Sequence, residues 1–584
     1  MGHNQLNMHK IYSLIFLLTS ICTFSQESFD YRYLTYSQVG YDMNLPKVAM
    51  IQYKDSTLLS ENVSYTLHKI VNDKKVYSGK IVSQGKKWGK YWWKVDFSNF
   101  KIAGDYYLKI KKGKETLFKS KKDLPIKIGK NLIWNKTWYP TALHHLHIRD
   151  SLSYKPEGGW KDCGSPLQEL SSHIIMLNAL CDLLELTPNE LKESELQEVY
   201  HHLVVGANYV SLCQDKAKEL GFQEGAVIHE MRENYKVVTG NVAKTAMILA
   251  RISRLIKNEN PLLAESYLER SIKAYSWIST FGPVLHWDNT NNFAITHGAP
   301  FGMHKPPKEW MTRDLMMMLW ASLELYKSGE TEYKQKAIEY ANKIMARQVL
   351  KKKSEEGLFG HFYTYDSFDF TEKANIHCGA WNANYKAYNQ GGHFPHYLIP
   401  FIEMSKLWPN HADNIKWNKM VYDFAYHYFI PATNQNPFKI LPSGYYKGVG
   451  LLNWSGWYHG HNKIFGYAAG LAMEFYHLYH DEQFIDIATG NLQWITGLHS
   501  GFHENNPDFS ASMIVGIGNR YKEDWDAMVG TITNGFEADG QFKLEKPSKE
   551  TDLPIVFGDE GGIHHPAGWI SGLTRLKAYL NTKE

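Results

Sequence analysis

A change of hydrophobic period near residue 130 does most to limit what this chain can fold into. From 29 to about 128 the pattern is that of strands. Lys47-Val-Ala-Met-Ile-Gln-Tyr53, Val63-Ser-Tyr-Thr-Leu67, Lys90-Tyr-Trp-Trp-Lys-Val-Asp96 and Asp105-Tyr-Tyr-Leu-Lys-Ile110 alternate or are β-branched and aromatic. Gly, Asn, Asp and Lys turns separate them at roughly ten-residue spacing, the pattern of an antiparallel sandwich of about 100 residues. From about 131 apolar residues recur at three- and four-residue steps. They do so in Leu167 to Leu186, Val242 to Ile256, Leu262 to Ile278, Asp314 to Tyr326, Tyr333 to Ile344, His396 to Trp408, Ile415 to Tyr428 and Asn462 to Tyr479. Roughly 450 residues of paired helices without a parallel-sheet pattern predict helical hairpins closed into an (α/α) barrel. Loops at one end of such a barrel build its site.

Composition narrows the class. Of 584 residues, 43% are hydrophobic and 21% charged, as in an ordinary globular protein. Aromatics reach 14%, with 18 Trp and 37 Tyr. Rings beyond core needs often line clefts, because a ring face packs well on the apolar face of a sugar. A net charge of +4, with no long Lys/Arg run, argues against nucleic acid and is compatible with an anionic substrate.

The N-terminus reads as a leader. Met8-His9-Lys10 is a short basic start, Ile11 to Phe24 is apolar, and Thr23 and Ser25 are small residues before Gln26. This is the form of a secretory signal peptide cleaved near Ser25, which predicts a periplasmic or secreted protein. No later stretch is apolar enough to span a membrane. Cys163, Cys181, Cys213 and Cys378 form no CxxC pair, so neither a zinc site nor a disulfide framework is indicated.

Several segments resemble glycoside hydrolase family 9, in that family's order. Tyr36-Ser-Gln-Val-Gly-Tyr41, followed by Pro46-Lys-Val-Ala-Met-Ile51, and later Ala103-Gly-Asp-Tyr-Tyr-Leu108 resemble its immunoglobulin-like domain. Gly158-Gly-Trp-Lys-Asp-Cys-Gly-Ser165 resembles the GGWxDAGD motif, and Thr239 to Arg251 a conserved helix start of the family. Arg313 to Tyr326, Asn491 to Gly497 with Ser512 to Gly518, and Asp559-Glu560 with Pro566 to Leu573 resemble its later motifs. The resemblance implies a multidomain protein. Residues 1–25 are a signal peptide, 29–128 an all-β Ig-like sandwich, and 131–584 an all-α (α/α)6 barrel with an open saccharide cleft.

The family inverts configuration. One carboxylic acid protonates the leaving oxygen and one carboxylate activates water on the opposite face. By the resemblance the acid falls on Glu560. The base is the second Asp of DAGD, and Ser165 stands there. A serine cannot take a proton from water at neutral pH without another base. Asp162, the first Asp, is retained as a substitute base or a substrate acceptor. Asn519 to Trp525 replaces the family's HHR stretch.

The loops offer His, Tyr and Asn instead, in clusters around Asn384 to Tyr397 and Asn453 to Asn462, at His564-His565, and at His229 to Tyr235. His393, His459, His461 and Tyr458 are the candidate proton-transfer groups, with Arg232 for a substrate carboxylate. Asn389 and His564 are candidate substrate contacts, and Trp160, Trp454 and Trp457 candidate sugar platforms. Proton abstraction beside a carboxylate needs a His or Tyr base and a neutralising cation, which is elimination chemistry on a uronic acid. It needs no activated water. Elimination by a lyase or dehydratase on a uronate-containing poly- or oligosaccharide is therefore favoured narrowly. The alternative is a family-9-like hydrolase with Glu560 as general acid, and the third reading is an inactive carbohydrate-binding protein. The His459/His461 and His564/His565 pairs, with Asp559, would also suit a divalent metal, although no spacing is specific for one.

Overall fold

The computed structural model describes residues 34–56, 63–163, 167–232, 235, 237, 239–282, 310, 312–354, 356–363, 386–387, 395–442, 444–447, 450–452, 462–501, 510–519, 528–537, 556–558 and 560–583. The leader expected at 1–25 lies outside these residues.

The N-terminal region is a sandwich of nine strands: β1 Leu34–Tyr36, β2 Tyr41–Asp42, β3 Val48–Tyr53, β4 Val63–Lys69, β5 Lys75–Lys87, β6 Lys90–Asp96, β7 Gly104–Lys112, β8 Glu115–Lys119 and β9 Ile126–Gly129. The order is β1-β3-β6-β5-β4-β7-β9-β2, with β8 on β7. The long β5 joins the two layers. Its first half pairs with β4 and its second half with β6. The period-two residues face inward, as the pleat requires: Ala49 and Ile51 with Val95 and Trp93, Tyr65 and Leu67 with Leu108 and Ile110.

Helices begin at α1 (Leu132–Tyr139) and α2 (His145–Leu152), joined by a π turn at Pro140–His144. Then follow α3 Leu170–Leu186, α4 Glu193–Glu219, α5 Thr239–Ile256, α6 Pro261–Phe281, α7 Thr312–Lys327, α8 Tyr333–Met345, α9 Ile399–Leu407, α10 Asn414–Phe424, α11 Ile430–Thr433, α12 Asn462–Tyr479, α13 Gln483–Ile495 and α14 His564–Asn581. Helices α3, α5, α7, α9, α12 and α14 form the inner ring. Each packs on the next, and α14 returns to α3. The sequence explains the division. Along α3, α7, α12 and α14 nearly every position is buried, mostly apolar or small residues, with the buried charges Asp182, Glu324 and Arg575 ion-paired between helices. On α8 burial falls on one stripe, Tyr333, Ala337, Ile338, Tyr340, Ala341 and Ile344, as an outer helix requires.

The inner helices point the same way. At their N-terminal ends Asn241 of α5 donates to His229 in the loop before α5, whose carbonyl accepts from Leu170 N–H of α3, and Lys463 N–H of α12 donates to His565 of α14. At their C-terminal ends Arg251 of α5 meets Asp182 of α3, and Arg254 meets Glu324 of α7. The loops before α3, α5 and α14 therefore converge at one end of the barrel.

The sandwich is joined to the barrel by hydrogen bonds and rings. Gln38 N–H donates to Thr496 O at 2.7 Å, and Gln493 Nε2 to Pro46 O at 2.7 Å. Trp88 stacks on Phe438, with centroids 5.8 Å apart and planes at 10°, and Trp92 meets the same ring edge-on at 5.1 Å. Among the described residues no helix is long and apolar enough to cross a membrane.

Candidate active site

Two segments far apart in sequence meet at the N-terminal end of the inner ring. The first runs from Gly158 to Asp162. Gly158 and Gly159 have φ of 64° and 73°, and a Cβ on Gly159 would lie 2.7 Å from His173 Nε2. Only glycine suits that combination of positive φ and close approach. Trp160 N–H donates to His173 Nε2 at 2.8 Å, so the ring's proton is on Nδ1, which donates to Glu169 O. Burial pushes His173 down to about 4, so it stays a neutral structural group.

The second segment holds a short antiparallel strand pair, β10 (Gly535–Glu537) with β11 (Val556–Gly558), whose register pairs Gly535 with Gly558. It sets Asn534 beside Glu560. Asn534 N–H donates to Glu560 O at 2.9 Å, and Asn534 Nδ2 to Glu560 Oε2 at 3.5 Å. Asn534 Oδ1 in turn accepts from His565. Lys463 N–H donates to His565 Nδ1 at 3.2 Å, which leaves the proton on Nε2 to reach Asn534 at 2.8 Å. Glu560 is thus aimed through a chain that begins at the N-terminus of α12.

Arg149 ties the two segments together. Its guanidinium is fully buried. Nη1 donates to Lys161 O at 2.9 Å and to Asp162 O, while Nη2 donates to Thr531 Oγ1 and Gly561 O, both at 2.6 Å. Ile563 N–H also donates to Asp162 O at 2.9 Å. A buried cation whose donors go to loop carbonyls makes loop geometry depend on it.

Asp162 is buried, and its carboxyl is pushed up to about 7. Burial is the main cause, with Glu169 raising it, Arg149 opposing, and Glu560 raising it further. Asp162 and Glu560 therefore feel each other's charge. His564 Nδ1 lies 3.9 Å from Asp162 Oδ1. Around them stand Glu169, Glu230 and His229. His229 accepts from Asn241 at Nδ1 and turns Nε2 toward Glu169 at 3.7 Å.

The structure thus brings Asp162, Glu560 and His564 together and commits two other expected residues to contacts within the fold. Trp160 is fully enclosed, stacked on His173 at 5.2 Å and resting where Gly206 has no side chain. It offers no face to a sugar, so the platform expectation is corrected to wall packing. Arg232 is paired with Glu157 at 3.1 Å and lies over the Tyr154 ring at 4.2 Å, so its charge is already balanced within the fold. His393, His459, His461, Tyr458, Trp454, Trp457 and Asn389 lie outside the described residues, as do Asp559 and Ser165. Among the described residues no three His, Cys, Asp or Glu side chains are gathered as a metal would need. Arg149 and Asn534 carried no signal in the sequence. His565 was visible only as half of a His pair.

The (α/α) barrel is thus joined to a β-sandwich and carries Asp162 and Glu560 near each other at the N-terminal end of its inner ring. Residues 34–115 match the family model of the cellulase N-terminal ig-like domain, and residues 123–527 match that of glycosyl hydrolase family 9. The chain belongs to glycosyl hydrolase family 9. Its fold is similar to a metagenome-derived family 9 endoglucanase (TM-score 0.64, 14% identity, covering 93% of this chain and 98% of that one). It is similar also to a family 9 protein of Bacteroides ovatus (0.61, 14%, 94% and 100%) and to AaCel9A in complex with cellobiose-like isofagomine (0.58, 13%, 93% and 99%). No curated protein matches the chain by sequence. The preference for elimination is overturned by the match to a hydrolase family. That preference rested on the missing carboxylate at Ser165 and on the His, Tyr and Asn of the loops; the hydrolase alternative, with Glu560 as acid, fits the family match better. Asp162 and Glu560 are both retained and lie near enough for Glu560 to raise the Asp162 carboxyl.

Proposed function

We propose that this enzyme hydrolyses the glycosidic bonds of a β-glucan, with Glu560 as general acid and Asp162 as the carboxyl on the water side. The observation that carries the reading is the Arg149 bridge, which holds together the loops of these two acids from opposite ends of the domain's sequence. An inverting hydrolysis needs one group protonated and one able to drive proton removal. Glu560, beside Asn534, takes the acid's part in this reading, as the motif resemblance implies. The names of the similar structures, an endoglucanase and a complex with a cellobiose-like compound, support a glucan as substrate. Export belongs to the same reading, since a polymer must be cut outside the cell.

The test is digestion of carboxymethyl-cellulose and cello-oligosaccharides, reading new reducing ends and the anomer first formed by NMR. Release of the inverted anomer, lost in Glu560→Gln, is expected. Undiminished release by Glu560→Gln would refute the assignment.

A further inference from the structure

Asp162 is poorly placed to touch water. Its side chain is only 8% exposed. Its Oδ1 is buried and has no hydrogen-bond partner among the described residues. The ring beside that oxygen is His564, which is more accessible at 20% and presents Nδ1 to it at 3.9 Å. The ring is held by its surroundings. It packs against His565 with centroids 4.2 Å apart. It also covers Gly562, where a Cβ would come within 2.6 Å of His564 Cε1. Any side chain at 562 would displace the imidazole from Asp162. With Nδ1 turned to the carboxyl, Nε2 lies on the far edge of the ring.

We propose that His564 is the general base of this hydrolase, with Asp162 orienting it and balancing its charge, so that the pair replaces the carboxylate missing at Ser165. The proposal rests on the hydrolytic reading above. In the step, the water oxygen bonds to the anomeric carbon as the bond from that carbon to the leaving sugar breaks. The bonding pair stays on the leaving oxygen, which takes the proton of Glu560. The water's proton goes to His564 Nε2, and the imidazolium Nδ1–H points to Asp162. Solvent then returns a proton from His564 to Glu560. Closing the gap from 3.9 Å to a hydrogen bond needs a ring shift of roughly 1 Å, and catalytic contacts commonly tighten in this way when substrate binds.

The experiment uses the full chain on carboxymethyl-cellulose, with Glu560→Gln, His564→Ala, His564→Asn and the double variant His564→Ala/Ser165→Asp. Removing the base should lower kcat by about 10²–10⁴-fold, with KM nearly unchanged. His564→Asn keeps a polar group toward Asp162 but cannot take the proton. It should fall alike, and it carries the test if the Ala variant misfolds. Added imidazole should restore part of the rate of His564→Ala, and Ser165→Asp should restore it without imidazole. Wild-type kcat in His564→Asn, a loss confined to KM, or a kcat loss relieved by neither imidazole nor Ser165→Asp would overturn the dyad. Hydrolysis that needs Glu560 but not His564 sinks the dyad alone, whereas a wild type that makes no reducing ends sinks the hydrolytic reading with it.

Discussion

Both ends of the inner ring bury carboxyl groups, and they treat them in opposite ways. At the C-terminal end, Asp182 of α3 lies between Arg251 of α5 and Arg575 of α14, at 2.8 and 2.6 Å. Glu324 meets Arg254 at 2.9 Å, and Arg575 also holds Glu474 at 3.1 Å. Burial pushes Asp182 up, but Arg575 and Arg251 outweigh it and hold the carboxyl below its usual range. Glu185 is held down in the same way by Arg251 and Arg254. At the N-terminal end, Asp162 sits near Glu169 and Glu560, and the Arg149 guanidinium beside it gives its hydrogen bonds to carbonyls, the Thr531 hydroxyl and His145 Nδ1. Its pKa rises instead, to about 7. A carboxyl whose charge is fully matched is inert scaffolding. One left under-matched can exchange a proton near neutrality, and chemistry needs that property.

The comparison predicts a separation of effects. The largest should come from Glu560→Gln, which should cost about 10³-fold or more in kcat, from its role as general acid and the charge balance of the site, with the thermal midpoint little changed. A drop in stability together with a retained rate would reverse the assignment of the two ends. Next is Arg575→Met. It leaves Asp182 buried with one partner fewer, and breaking a buried pair costs roughly 3–5 kcal/mol. Thermal unfolding should show the loss, while kcat per folded molecule stays near wild type.

Asp162→Asn should move stability the other way. The native carboxyl titrates at about 7, above its ordinary value, so the native state holds a proton that the unfolded chain releases at lower pH. Wild-type stability from this group is greatest below about pH 4 and is lost as pH rises toward 7. The amide removes that cost. The variant should be more stable than wild type at pH 8, by on the order of 2–4 kcal/mol at most, with the gain gone near pH 4. Thermal unfolding at the two pH values checks it, and a variant less stable at pH 8 would show that Asp162 is matched after all. The smallest effect is Asn534→Ala. Loss of one oriented donor to Glu560 should lower kcat by about 10-fold, the scale of one hydrogen bond, with KM steady.

Much of this was legible in the chain. The period change near 130 separates strands ending at Gly129 from helices beginning at Leu132. Asp162 and Glu560 stood out through motif resemblance. Trp160 was misread because Gly-rich flanks look like an open loop, whereas those glycines let the backbone close over His173 and Tyr209. Arg232 looked available because Glu157 is 75 residues away. Arg149 was invisible for the same reason, since Thr531 and Gly561 are 382 and 412 residues distant.

Local sequence determined the element types and the two-domain order, because side-chain periods of two and of about 3.6 select strand and helix from neighbours alone. Which carboxyl groups meet a guanidinium and which face each other was decided only when the ring closed and α14 came against α3. Charge pairing and burial depend on distance in space, and linear spacing does not encode that distance.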